Sequence, residues 1–103
     1  MDRHLSYGLP DTAIQSLNKI FREDNRIENV WLYGSRATGK QRQASDIDLC
    51  IEGQKLSLTD LHALECKIDD LLLPWKVDLS LKHQIDNSAL LKHITDVGIN
   101  FLD

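Results

Sequence analysis

The sequence predicts one small α/β (α+β) domain in which helices pack on a small mixed β-sheet, in the order αβ-loop-βαβα. Three observations carry that prediction. Short runs at 30–33, 46–51 and 76–81 have the β-favouring composition or the two-residue alternation of strands. Amphipathic helical stripes stand before, between and after them. A polar connection of only about ten residues joins the first two runs, short enough for antiparallel pairing, while helices between strands imply a sheet with helices packed on it.

In chain order, Pro10-Asp11-Thr12 opens a helix whose apolar residues Ile14, Leu17, Ile20 and Phe21 recur at helical spacing and give way to the polar run 22–26. Val30-Trp31-Leu32-Tyr33 is a β-favouring run that stops at Gly34-Ser35. Asp46-Ile47-Asp48-Leu49-Cys50-Ile51 alternates as the second strand. Ser57 with Asp60 three residues on forms a capping box, ahead of a stripe of Leu58, Leu61, Leu64, Ile68, Leu71 and Leu72 that Pro74 should end. Lys76-Val77-Asp78-Leu79-Ser80-Leu81 is the third strand. Ser88 to Val97, with Leu90, Leu91, Ile94 and Val97 inward and Gly98 as the stop, is the last helix.

At 103 residues and 42% hydrophobic content, residues 1–103 are expected to form a single domain. A chain of this size buries roughly 65% of its unfolded surface, so its core is modest and a partner covering apolar surface would help. The charge of −4, from 16 acidic and 12 basic residues, argues against holding nucleic acid by phosphate neutralisation. Met1 to Pro10 lacks the continuous apolar stretch of a signal peptide, and no segment has the apolar length of a membrane span. Cys50 and Cys66 lie in apolar-periodic segments without metal-ligand spacing and read as reduced core thiols. A soluble cytoplasmic protein is the expectation.

The candidate chemistry sits on the strands. Alternation puts Asp46 and Asp48 on one face of the second strand, about 7 Å apart along the backbone, while Ile47 and Leu49 face the core. Two carboxylates at that separation can share a cation. Val77-Asp78-Leu79 repeats the pattern, so if the strands adjoin, Asp78 completes a cluster of hard oxygen ligands suited to two Mg²⁺ ions, or Mn²⁺. That arrangement serves phosphoryl or nucleotidyl transfer. Gly34-Ser35 supplies a backbone turn that can approach phosphate closely, and Arg36 adds a fixed positive charge beside it.

Gly34-Ser35, ten residues, Asp46-Ile47-Asp48 and then Val77-Asp78-Leu79 resembles the signature of the polymerase-β-like nucleotidyltransferases. The stretch Tyr33-Gly34-Ser35-Arg36-Ala37 … Ser45-Asp46-Ile47-Asp48-Leu49 is especially similar to the minimal nucleotidyltransferase, or MNT, domains. The resemblance implies the nucleotidyltransferase fold, Asp46, Asp48 and Asp78 as metal ligands and catalytic groups, and Gly34, Ser35 and Arg36 around the phosphates of a nucleoside triphosphate. Asp78 is implied to help deprotonate the acceptor hydroxyl. It further implies transfer of AMP from ATP to a hydroxyl of a protein or small-molecule acceptor with release of pyrophosphate, and a separately encoded helical partner of the HEPN type, the two forming a hetero-oligomeric toxin–antitoxin pair. The chain departs from many MNT sequences at Thr38, where a second arginine commonly stands.

Competing readings rest on the same residues. Gly34 to Lys40 matches Gly-x-x-x-x-Gly-Lys, but Gln41 replaces the Ser or Thr of a P-loop and a strand follows too soon for its helix. A non-catalytic antitoxin that occludes its helical partner is the main alternative, motivated by Thr38 and the small core. A polymerase acting on RNA is disfavoured, because there is no basic surface to hold a strand. Asp69 and Asp70 read as a solvated helix face, and Lys40 and Arg42 as solvated loop residues. His4, His62, His83 and His93 share no metal spacing, although His83 follows the third strand. Trp31 and Trp75 read as packing residues.

Overall fold

In the computed structural model, which describes residues 5–102, a four-stranded mixed sheet carries helices on both faces. His4 lies outside the described residues. The first helix, α1 (Asp11–Arg22), has Asp11 in its first turn and Lys19 and Arg22 in its last, which complements the helix dipole. It buries Leu17, Ile20 and Phe21. Asn18, also buried, donates from its amide to the Phe101 carbonyl at 3.0 Å and ties the helix to the C-terminal segment.

Strand β3 (Asn29–Tyr33) pairs antiparallel with β4 (Ile47–Glu52), as the short connection predicts. Helix α3 (Leu58–Asp69) then crosses over to β5 (Val77–Leu81), which lies parallel to β4. Helix α4 (Ser88–Val97) leads to the two-residue strand β6 (Ile99–Asn100), antiparallel to β3. The sheet order is therefore β5-β4-β3-β6.

Alternation sorts the two faces. Val30, Leu32, Ile47, Leu49, Ile51, Leu79 and Leu81 pack with α1 and α3 into the main core. Tyr33 and Cys50 point the other way, where Ile94 of α4 covers them. The aspartates of β4 and β5 share this second, more thinly covered face.

Several expectations are corrected. The capping box forms: Ser57 Oγ accepts from the Asp60 amide at 3.2 Å, and Asp60 accepts from the Ser57 amide at 2.9 Å. The helix, however, ends at Asp69, well before Pro74. Tight bonds from the Leu71 and Leu72 amides to the carbonyls three residues earlier close it, and Leu72 leaves in the left-handed region at φ +55°. Leu58 and Leu72 are 62% and 86% exposed, so the buried stripe is Leu61, Leu64 and Ile68. Cys66, read as a core thiol, is exposed on α3, and only Cys50 is buried. Strands β4 and β5 start one residue late, leaving Asp46 and Lys76 outside them.

One small element besides β6 has no counterpart in the sequence reading. A hairpin of β1 (Leu5–Ser6) and β2 (Leu9–Pro10) turns at Tyr7-Gly8, both at positive φ, the backbone of a two-residue primed turn. A single helical turn, α2 (Ser35–Thr38), follows β3.

Leucine at Leu72 bears the steric cost of the left-handed region with almost no burial in return. Leu72→Gly is expected to raise stability by about 1 kcal/mol, the left-handed penalty less glycine's entropy. A urea titration checks it, and an unchanged or lower midpoint would count against the strain.

Candidate active site

Three side chains stand in one row across the second face of the sheet. Tyr33 of β3 is registered with Asp48 of β4, and Asp48 with Asp78 of β5. Neighbouring strands lie about 4.8 Å apart, which brings the two carboxylates side by side. Asp48 is half-buried, whereas Asp78 is exposed and Asp46 is exposed just ahead of β4. Burial raises the Asp48 pKa above its ordinary value, and the charges of Asp78 and Asp46 push it further. Arg36 acts in the opposite direction.

Above this row lies the turn that ends β3. Gly34 adopts φ +75°, ψ −155°, and a Cβ there would run into Oδ2 of Asp48. Glycine is therefore required twice, for the backbone angle and for the close approach of the turn to the carboxylate. The Gly34 carbonyl accepts from the amides of Ala37 and Thr38 at 3.1 and 3.2 Å, closing α2. As in any helical first turn, the Ser35 and Arg36 amides have no acceptor within the helix. The Gly34 amide donates to Nε2 of His93 on α4 at 3.2 Å, and the imidazole meets the Tyr33 ring edge-on, with centroids 6.1 Å apart.

Arg36 departs from the role expected of it. The side chain is 2% exposed, and its guanidinium donates to three backbone carbonyls: Tyr7 at 3.0 Å, Ser45 at 2.8 and 3.2 Å, and Gln43 at 3.4 Å. It also lies 5.8 Å from the centre of the Trp75 ring, whose indole N–H donates to Gln43. Its donors are spent on pinning the hairpin and the 39–45 loop, so its contribution to the site is position and field. Burial presses its pKa down while Asp46 and Asp48 hold it up. Thr38 turns its hydroxyl back to the Gly34 and Ser35 carbonyls at 3.3 Å.

Asp46, Asp48 and Asp78 are the donors available for a divalent cation. Among the described residues, no three His, Cys, Asp or Glu side chains already converge to metal-holding distance. The donor set nevertheless fits a hard cation: all donors are carboxylate oxygens, and the mutual repulsion felt by Asp48 is what a cation would relieve.

The remaining candidates stay outside. His83 lies beyond the far end of β5, lining a cavity of about 330 Å³ with Glu52, Lys82 and Leu91. Asp69 and Asp70 are exposed at the end of α3, as are Lys40 and Arg42 in the loop. Trp31 donates to Glu52 at 3.0 Å. His93 belongs to the site although no motif marks it. Its signal was its place on the α4 stripe, three residues after Leu90 and four before Val97, where a histidine faces the sheet.

No helix among the described residues is long and apolar enough to cross a membrane. The family described as polymerase beta, nucleotidyltransferase matches residues 15–103. A protein of Methanocaldococcus jannaschii named as a protein adenylyltransferase is 37% identical over 79 residues, covering 76% of this chain and 80% of that one. A second from the same organism is 35% identical over the same shares. Among solved structures, a toxin–antitoxin with AMP-PNP superposes with a TM-score of 0.71 at 22% identity, over 85% of this chain and 71% of the other. The complex of a tri-AMPylated Shewanella oneidensis HEPN toxin with its MNT antitoxin gives 0.67 at 18% identity, over 88% and 70%. At these identities the two superpositions show a shared fold.

Proposed function

This chain belongs to the polymerase beta nucleotidyltransferase family, and we propose that it transfers AMP from ATP to a hydroxyl group of a separately encoded helical protein of the HEPN type. Residues 1–103 then act as one minimal nucleotidyltransferase domain, paired with that protein in a hetero-oligomer inside the cytoplasm. The observation that carries the reading is the registered pair Asp48–Asp78 lying beneath a glycine turn that only glycine can make. The relatives named as protein adenylyltransferases support a protein as the acceptor.

In this reading the Gly34-Ser35 turn holds the triphosphate through its backbone, and Arg36 fixes the loop that delivers Asp46. Asp46, Asp48 and Asp78 would hold Mg²⁺ or Mn²⁺, which supplies charge compensation for the triphosphate and the departing pyrophosphate. Asp78, exposed at the edge of the row, takes the proton of the acceptor hydroxyl. The acceptor oxygen forms a bond to the α-phosphorus as the bond from that phosphorus to pyrophosphate breaks.

Incubation with labelled ATP, Mg²⁺ and the protein encoded next to this one tests the reading. Label is expected on that protein with release of pyrophosphate; no Mg²⁺-dependent labelling would overturn it.

One observation favours a second reading, occlusion of the partner without catalysis. The guanidinium of Arg36 and the hydroxyl of Thr38 both turn to backbone carbonyls, which withdraws them from the triphosphate. A doubly substituted Asp46→Asn, Asp48→Asn protein separates the two. Protection of cells by the variant selects occlusion, whereas a complex that forms without protecting selects transfer.

A further inference from the structure

We propose that His93 is a positioning residue of the nucleotide site, holding the Gly34-Ser35 turn in place over Asp48; the inference rests on the nucleotidyl-transfer reading above. Glycine makes the turn possible but does not fix it, since a residue without Cβ has the widest choice of backbone angles. Something else must select φ +75°, ψ −155°. The Gly34 peptide group is held from two directions. Its carbonyl accepts from Ala37 and Thr38 within the same turn, and its amide donates to Nε2 of His93, 59 residues further along the chain. Of the two, the second ties the Gly34 backbone itself to a distant element, beside the anchorage that the Arg36 side chain gives the following residues.

The anchor is itself well seated. Ile94, next to His93, is buried against Tyr33 and Cys50, and the imidazole packs edge-on against Tyr33, the residue registered with Asp48. One ring thus links the helix to both the turn and the carboxylate row. Because Nε2 accepts a hydrogen bond, the imidazole proton in the neutral ring sits on Nδ1. The tautomer follows from the contact.

Three variants separate positioning from packing. H93F keeps an aromatic ring against Tyr33 but has no acceptor. H93Q places an amide oxygen where Nε2 stands. H93A opens space, and it decides the matter if H93F does not fold. Two quantities are measured on each: the dissociation constant for ATP in Mg²⁺ by calorimetry, and the ¹⁵N–¹H resonance of the Gly34 amide. H93F is expected to weaken ATP binding about tenfold, the scale of one lost hydrogen bond, and to move the Gly34 resonance. H93Q is expected to restore both at an unchanged melting temperature. Wild-type affinity in folded H93F or H93A, or a folded H93Q that restores neither quantity, overturns the inference. If the wild-type protein binds no ATP, the nucleotidyl-transfer reading fails, and the Gly34 resonance decides the contact alone: unmoved in H93F, it overturns the placement of His93.

Discussion

On the proposed assignment of Asp48 as a ligand of the catalytic cations, Asp48→Asn is expected to lower AMP transfer by about a thousandfold, because a carboxylate in that role accounts for several kcal/mol of transition-state stabilisation. The same variant is expected to melt higher than wild type at neutral pH. Asp48 is half-buried between two other carboxylates, and its folded-state pKa is raised, by burial first and by Asp78 and Asp46 next. In the interval between the unfolded value, near 3.8, and the higher folded value, the native state binds more protons than the unfolded chain. Stability therefore falls as pH rises through that interval and stays reduced above it. Asparagine has no charge to bury, so its advantage should be full at neutral pH and vanish below the unfolded value. Divalent cations should raise the melting temperature of wild type at neutral pH and do little for the variant. A scan of melting temperature against pH, with and without Mg²⁺, checks both. Equal curves, or retained transfer, would remove Asp48 from the centre of the site.

The part of this site that was legible in the sequence is the part written in short periods. Alternation separates Ile47 and Leu49 from Asp48 without any knowledge of the fold, and both aliphatics are fully buried. The capping box at Ser57 is a contact between residues three apart, so four letters suffice to read it. What escaped depends on residues distant in the chain. Strand β6 has two residues and exists because Leu32 and Trp31 offer it an edge, which no local pattern encodes. Leu58 and Leu72 fit the helical stripe by number, but the helix ends before Leu72, and Leu58, its first residue, is exposed. Tyr7 occupies a turn position that favours asparagine or aspartate, so the hairpin carries no turn signature. His93 and Arg36 share this origin: each is defined by a partner that only the folded chain supplies.

Arg36 turns that difference into a measurable one. An arginine after a phosphate-binding turn suggests a charge aimed at ligand, and on that view its loss would weaken nucleotide binding while leaving the fold intact. The structure leads to the opposite expectation. Its guanidinium bridges the carbonyl of Tyr7 in the hairpin and those of Gln43 and Ser45 in the loop. The strained hairpin closes tightly around it, since a Cβ on Gly8 would come within 2.9 Å of its Nη1. Arg36→Met keeps the apolar stem but strands those carbonyls in a half-buried setting, at about 3 kcal/mol. For a domain of this size that corresponds to a melting temperature roughly 15 °C lower. Lysine should recover only part of the loss, because one ammonium cannot reach carbonyls that a planar guanidinium spans. Activity should fall further than stability alone accounts for, even when R36K is assayed well below its melting point. The Ser45 carbonyl is joined directly to the amide of Asp46, so loosening that bond releases the residue that begins the carboxylate cluster. Calorimetry on R36M and R36K decides it: wild-type melting with weakened ATP binding would return Arg36 to the role of a phosphate ligand.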